Sequence, residues 1–286
     1  MFTSLLPDLI GIRVDVPTGA ALAARHGFDG FDLRLTQCRQ EVEQIGGQGF
    51  RSLLQSHGLK PGYCSVLPGK ISCDDTEWEA GLAALPDLAK LAAECGYTRT
   101  ATVVLPFHPD LAYADCFAMH RSRLAEAMPV LRDHGLDLAL EYVSPISRRQ
   151  GQGPEFIFNL SGMLELCEAG GPGAGLLLDS FHWHCAGEGV DDIRALSASQ
   201  VVVVHVNDLV AGRTLDQQVV HERELPGVSG LIALDGFLGA LAEIGYDGPV
   251  TCEPTHPRWA DADAESSAAQ TGQAMQQMMS QVGSTS

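Results

Sequence analysis

The sequence has few basic residues and no run of them. Its 18 lysines and arginines stand against 36 aspartates and glutamates, which gives a formal net charge of −18. Proteins that bind the nucleic-acid backbone rely on clustered lysine and arginine side chains. We therefore expect no nucleic-acid partner, although a local basic pocket could still hold a single phosphate group.

Long apolar runs are also missing. No stretch approaches the roughly 18 apolar residues that a membrane span requires, and the first ten residues, MFTSLLPDLI, place no basic residue before their short apolar run. A secretory signal has such a basic start. We therefore expect a cytoplasmic protein with no membrane partner.

Paired cysteine motifs are absent as well. The 8 cysteines stand singly along the chain, and none forms a CxxC pair. In a chain without a secretory signal, this pattern is more typical of free thiols than of a disulfide framework. We expect free and mostly buried thiols.

The chain does contain the material of a large core, since 45% of its residues are apolar. Short apolar runs alternate with helix-like segments from one end to the other. Eight runs predict strands, at residues 9–16, 30–35, 60–67, 100–105, 137–143, 175–179, 201–206 and 249–253. Helices are predicted at residues 18–26, 39–56, 77–94, 111–133, 162–169, 191–199 and 232–244, with a closing helix and a frayed end over 261–286.

The predicted strands are continuous apolar runs, such as LLL at 176–178 and VVVV at 201–204. Continuous runs indicate burial on both faces, as in a parallel sheet covered by helices. Eight such strands with about eight helices predict an α/β fold, a single-domain (β/α)8 TIM barrel over residues 1–286. A doubly wound open sheet is the alternative. It would favour a glycine-rich phosphate turn after the first strand, where this chain has PTGAAL.

Ionisable residues stand at the C-terminal ends of four successive predicted strands, where barrel enzymes place their active residues. The runs LALE, LLLD, VVVVH and VTCE end on Glu141, Asp179, His205 and Glu253. Each residue alone could be a cap, a salt bridge or a rim side chain. Together they need a shared partner, because buried carboxylates are costly without one. We predict one divalent metal ion bound by these four residues. The oxygen-rich ligand set favours Mn²⁺, with Mg²⁺, Co²⁺ or Zn²⁺ as alternatives.

The segments EYVSP, DSFHWH, HVND, RELPG and GYDGPVTCEP resemble the sugar phosphate isomerase/epimerase superfamily of xylose-isomerase-like TIM barrels. That group includes ketose 3-epimerases, inosose dehydratase, 3-dehydroshikimate dehydratases and endonuclease IV. The resemblance implies the same four metal ligands and casts Glu141 and Glu253 as the acid/base pair. It also implies substrate contacts for His182 and Arg223. His108, after the fourth predicted strand, points to the same rim and is either a substrate contact or a loop histidine.

The expected function follows from this ligand set and the resemblance. A metal chelated by a hydroxyl and the neighbouring carbonyl of a sugar acidifies the carbon-bound proton and stabilises the enediolate. We expect a metal-dependent isomerase or epimerase of a small sugar, ketose or sugar phosphate. A dehydratase of the inosose or 3-dehydroshikimate type shares the first step and is the alternative. An endonuclease IV-like nuclease and a non-catalytic barrel are remote alternatives, and assembly into a homo-oligomer is left open.

Overall fold

Eight parallel strands form one curved sheet in the computed structural model, which describes residues 1–282. Neighbouring strands in the sheet follow the order β3-β2-β1-β8-β7-β6-β5-β4. This arrangement, with helices between successive strands, confirms the predicted (β/α)8 TIM barrel. The strands are β1 (Phe2–Leu5), β2 (Gly30–Leu33), β3 (Lys60–Cys64), β4 (Arg99–Val104), β5 (Asp137–Tyr142), β6 (Ala174–Asp179), β7 (Val201–Val206) and β8 (Pro249–Cys252).

The barrel closes between β3 and β4 through the segment that follows β3. The Val103 amide donates to the Gly69 carbonyl at 3.0 Å, and the Ile71 amide donates to the Val103 carbonyl at 3.0 Å. The Thr102 hydroxyl adds a bond to the Pro68 carbonyl at 2.9 Å. Residues 66–71 therefore join the two edge strands in place of a regular ladder.

The helices cover the outer face of the sheet, and their apolar sides supply most of the core. Short helices that the sequence patterns did not predict stand in the loops after β5 and β6. The helices are α1 (Val16–Arg25), α2 (Leu35–Ile45), α3 (Gly47–Ser56), α4 (Asp75–Cys95), α5 (Tyr113–Asp133), α6 (Ile146–Arg149), α7 (Leu160–Gly170), α8 (Ser180–Cys185), α9 (Val190–Arg194), α10 (Leu234–Glu243) and α11 (Ala264–Val282). The closing helix is thus observed, and the final residues of its predicted frayed end, 283–286, lie outside the described residues.

The prediction of a first strand at residues 9–16 is wrong. The strand is β1, and the chain then makes a 3-10 turn over Pro7–Ile10 that ends at Gly11, with φ of 73°. A Cβ at Gly11 would lie 2.0 Å from the Trp259 carbonyl oxygen. Leu9, Ile10 and Ile12 are buried, but they pack against the core as part of a turn and its continuation instead of pairing in the sheet.

The prediction of one helix over residues 39–56 is also wrong, because the structure has α2 and α3 there. Gly46 separates them with φ of 76° and ψ of 148°, a conformation that favours glycine. The helical period continues on both sides of the break, so periodicity alone could not reveal it.

All 8 cysteines are free thiols, and most of them are buried, as predicted. Within residues 1–282, no helix combines the length and apolarity that crossing a membrane requires.

Candidate active site

Four acidic and histidine side chains converge at the C-terminal ends of β5 to β8. Glu141 lies near the end of β5, and Asp179 ends β6 directly beside His205 of β7 in the sheet register. Glu253 follows β8, with its amide bonded to the β7 carbonyl of Val206 at 2.9 Å. One potential ligand atom from each of the four side chains lies within 4.8 Å of all the others. The structure thus brings together the predicted metal-ligand set.

Arg223 places a positive charge among these carboxylates. Its Nη1 donates to Asp179 Oδ2 at 3.0 Å and to Glu253 Oε2 at 2.9 Å. The guanidinium is 2% exposed and lies over the Phe181 ring, 4.6 Å from the centroid. Charge-assisted hydrogen bonds of this kind are among the stronger ones in proteins. Arg223 is therefore the internal counter-charge of the cluster.

The long loop between β7 and α10 fixes Arg223 through backbone contacts. The Arg223 amide donates to the Thr255 carbonyl at 2.9 Å, which ties the loop to the chain after β8. Asp208 organises the far part of this loop, since its carboxylate accepts from the amides of Ser229 at 2.9 Å and Gly230 at 2.7 Å. The sequence GVSG therefore folds around Asp208 and holds the segment that carries Arg223.

The two glutamates of the cluster have pKa values shifted in opposite directions. Burial, together with the charge of Glu253, raises the pKa of Glu141 to about 8. The Oε1 atom of Glu141 is buried and has no hydrogen-bond partner among the described residues. Burial also opposes ionisation of Glu253, but Arg223 and His205 outweigh it, so the pKa of Glu253 lies below its ordinary value. Carboxyl groups separated in this way suit acid and base roles.

His205 is held at both ring nitrogens. Its Nδ1 lies 3.3 Å from Glu253 Oε2, and its Nε2 lies 3.0 Å from the Tyr63 hydroxyl on β3. Burial disfavours the charged ring, but the hydrogen bond and charge of Glu253 outweigh this effect and raise the pKa of His205 to about 9. Tyr63 fixes the ring orientation with Nδ1 facing the carboxylates.

Tyr63 is positioned in turn by a buried aspartate inside the barrel. Asp32 Oδ1 accepts from the Tyr63 amide at 2.9 Å and from the Ser4 hydroxyl at 2.7 Å, and its Oδ2 accepts from the Thr251 hydroxyl at 2.6 Å. Sequence reasoning missed both Tyr63 and Asp32. The only available signal was the place of Tyr63 near the end of a predicted strand.

His182 lies beside the cluster but belongs to none of its four ligand positions. Its Nδ1 lies 3.3 Å from the Ser144 amide, and its Nε2 lies 3.2 Å from Arg223 Nη2 and 3.9 Å from Glu141 Oε1. Burial, together with the charge of Arg223, holds the pKa of His182 well below its ordinary value. A neutral imidazole in this position suits a hydrogen bond to substrate.

Asp179 is oriented by a neighbour that the sequence analysis did not single out. The Asn207 Nδ2 donates to both carboxylate oxygens of Asp179, at 3.3 and 3.1 Å, and the Phe181 amide donates to Oδ1 at 2.6 Å. Partners of this type commonly fix a ligand's orientation. Asn207 thus holds the Asp179 carboxylate in place.

His108 lies in the loop after β4. Its Nδ1 accepts hydrogen bonds from the amides of Asp110 at 3.1 Å and Leu111 at 3.0 Å, so these contacts organise its own loop. Its contact with a substrate stays a prediction.

Sequence comparisons identify the family of this chain and two similar proteins. The family model of the xylose isomerase-like TIM barrel matches residues 20–279. An inosose isomerase of Halalkalibacterium halodurans is 31% identical over 147 residues, which cover 50% of this chain and 48% of that protein. An inosose isomerase of Bacillus velezensis is 22% identical over 250 residues, 85% of each chain. The first alignment thus spans about half the length of the relative, and the second most of it.

Solved structures share the same architecture. A xylose isomerase domain protein from Alicyclobacillus acidocaldarius has a TM-score of 0.86 at 27% identity, covering 99% of both chains. An IolI protein with a bound zinc atom has a TM-score of 0.81 at 18% identity, again covering 99% of both chains. A D-psicose 3-epimerase crystallised with D-fructose has a TM-score of 0.73 at 15% identity and covers 99% of this chain and 100% of that one. The last two similarities concern the fold.

Proposed function

This chain belongs to the xylose isomerase-like TIM barrel family, and we propose that it is a divalent-metal-dependent isomerase or epimerase of a small carbohydrate with a ketone group. The observation that carries the proposal is the convergence of Glu141, Asp179, His205 and Glu253 at the barrel's C-terminal face. The relatives that are inosose isomerases and the D-psicose 3-epimerase fold neighbour support the reaction class.

The residues present fit a divalent cation. Three carboxylates and one imidazole are hard ligands, and the buried Oε1 of Glu141 has no hydrogen-bond partner within the described chain. When bound, the ion would stabilise negative charge that develops on the substrate oxygens as a carbon-bound proton leaves. We propose Mn²⁺ from the ligand chemistry. The zinc atom of the IolI structure supports Zn²⁺ as an alternative, and Mg²⁺ and Co²⁺ remain compatible with the same ligands.

Proton transfer falls to the two glutamates. Glu253, whose pKa is lowered, is ionised and suits the role of base, and Glu141 would be the second group, which returns a proton to the substrate. His182 and Arg223 would bind substrate oxygens beside the four-ligand cluster. Return of the proton to the opposite face of the same carbon gives an epimer, and return to the neighbouring carbon gives an isomer.

The free cysteines bear on the cellular location of the chain. Eight free cysteines suit a reducing compartment, so we propose the cytoplasm.

The test is deuterium uptake from D₂O at the carbon next to the carbonyl, read by NMR on a panel of ketoses and polyol ketones with saturating Mn²⁺. We expect uptake or rearrangement by the wild type and a fall of about 10²–10⁴ in Glu141→Gln and Glu253→Gln, since each change removes a proton-transfer group. Glu224→Gln, which alters an ion pair with Arg258 outside the cluster, is the matched control.

Each outcome of this assay has a definite meaning. Full turnover by either metal-saturated glutamine variant refutes the acid/base assignment. Loss of a β-hydroxyl from a panel compound, with water as the second product, would instead identify the dehydratase. Elemental analysis should find about one divalent ion for the single four-ligand set. A content near zero, with no increase in melting temperature on addition of Mn²⁺, would remove the metal site.

A further inference from the structure

Two basic side chains at the C-terminal face of the barrel have no carboxylate within ion-pair distance in the described chain. They are Lys70, after β3, and Arg148, in α6 after β5. Their situation differs from that of the adjacent Arg149, which pairs with Glu155 at 3.7 Å. Both cations lie on the face of the barrel that carries the four-ligand cluster.

Both cations border the loop that follows β4. Lys70 pairs with Val103 of β4 through a parallel bridge at the seam of the barrel. The Arg148 guanidinium lies over the ring of Phe107, three residues beyond the end of β4, at 5.3 Å from the centroid. A guanidinium above an aromatic ring is attracted to the ring face by a cation–π interaction. Phe107 thus helps to hold the Arg148 side chain in place.

A third donor, His221, comes from the long loop between β7 and α10. The Ser147 hydroxyl, next to Arg148, donates to the Gln218 carbonyl at 2.9 Å and so holds α6 against this loop. His221 follows three residues later, and its side chain is exposed. The loops after β5 and β7 therefore meet at the C-terminal face, at the entrance to the site.

The electrostatic surroundings of His221 agree with this placement. Burial lowers the pKa of His221 first, and the positive charges of Arg223, Arg148 and Lys70 lower it further, while the charge of Glu253 opposes this shift. Near neutral pH the ring is uncharged and still offers one N–H donor.

We propose that Lys70, Arg148 and His221 form an anion subsite at the entrance, and that the substrate carries a carboxylate or phosphate group bound there. The substrate part of this inference rests on the proposed function, whereas the anion subsite itself does not. A compound held by the metal ligands through its ketone end would place its anionic end against the three donors.

The overall charge of −18 does not oppose this subsite. At physiological ionic strength, charges farther away than about 8 Å are largely screened. An anion at the entrance therefore responds mainly to the nearby cations, with charge-assisted hydrogen bonds from lysine and arginine.

The test is an NMR titration of the ring signals of His221 in Mg²⁺-loaded protein, which is diamagnetic. Inorganic phosphate and acetate are the two probes. We expect a saturable change with at least one of them, weakened roughly tenfold or more in Lys70→Met and in Arg148→Met, as loss of a charged hydrogen bond implies. Lys60→Met is the matched control, because Lys60 lies at the opposite end of β3, over the Phe2 ring.

The two probes separate the sources of the anion. Saturation by phosphate alone indicates a phosphorylated substrate, and saturation by acetate, with or without phosphate, indicates a carboxylate. No saturation up to tens of millimolar, or equal weakening in Lys60→Met, overturns the subsite. The deuterium-uptake assay is independent of this titration. Anion binding without proton exchange would reject the proposed reaction alone, and proton exchange without anion binding would reject the subsite alone.

Discussion

Replacing Arg223 with methionine should destabilise the metal-free protein much more than the metal-loaded protein. The guanidinium serves two carboxylates, Asp179 and Glu253, whose side chains are 0% and 15% exposed. Removing one partner of a buried ion pair typically costs about 3–5 kcal/mol, because a charge is left without compensation. For a chain of 286 residues, this corresponds to a decrease of about 5–8 °C in melting temperature. A bound divalent ion would restore the missing positive charge, so the difference from wild type should shrink.

Calorimetry with EDTA measures the melting temperature of the metal-free protein, and calorimetry with excess Mn²⁺ measures that of the metal-loaded protein. The difference should also narrow at acidic pH, where Asp179 and Glu253 can take up protons in the variant. Arg123→Met is the control. Arg123 is 5% exposed, and it donates to the Ile71 carbonyl at 2.6 Å, away from the metal ligands. Its loss should lower stability equally with and without Mn²⁺. A metal-free Arg223→Met protein that melts within about 2 °C of wild type, or a difference that Mn²⁺ leaves unchanged, would refute the reasoning.

Three further predictions concern the neighbours of the metal ligands. Tyr63→Phe removes the hydroxyl beside His205 Nε2 and should weaken Mn²⁺ binding about 10–100-fold in calorimetric titrations. An unchanged affinity would exclude a role of Tyr63 in orienting the His205 ring. His182→Asn should retain the metal in elemental analysis while turnover falls, and a metal loss as large as that of Asp179→Asn would contradict this. Before metal binds, Glu141 has a pKa of about 8 and His205 a pKa of about 9. Both must release protons to become ligands, so apparent Mn²⁺ affinity should rise with pH from 7 to 9. Calorimetry in buffers of different ionisation enthalpy measures the release, and a pH-independent affinity would count against these shifts.

Much of the second half of the barrel could be predicted from local pattern. The strands β5 to β7 are buried almost throughout, and two-sided burial imposes the continuous apolar runs that mark them in the sequence. Because parallel strands place their C-terminal ends at one face, the residues after these runs had to share a site. This rule found Glu141, Asp179, His205 and Glu253 without any knowledge of their distances.

The first strand was not predictable by the same reasoning. The four residues of β1 include Thr3 and Ser4, and Ser4 turns its hydroxyl toward Asp32 inside the barrel. A short strand with polar inward residues has a weaker apolar signal than the buried turn that follows it.

The contact of Tyr63 with His205 could not be predicted from the sequence for another reason. It joins residues 142 positions apart across the barrel, and no local pattern records which side chains meet there.

Strand pairing is weaker at the seam between β3 and β4 than at the other junctions of the barrel. Every other junction is a ladder of paired strands, whereas this one depends on the short connection centred on Lys70 and Val103. A strand at such a junction can separate from its neighbour while its other edge stays paired. Amide protons along this side of β4 should therefore exchange with solvent through small local openings, at a lower free energy than those of β6 or β7. The metal ligands lie on the strands β5 to β7 and directly after β8, on the continuously paired part of the sheet, so the barrel can open at the seam while the ligand set keeps its geometry.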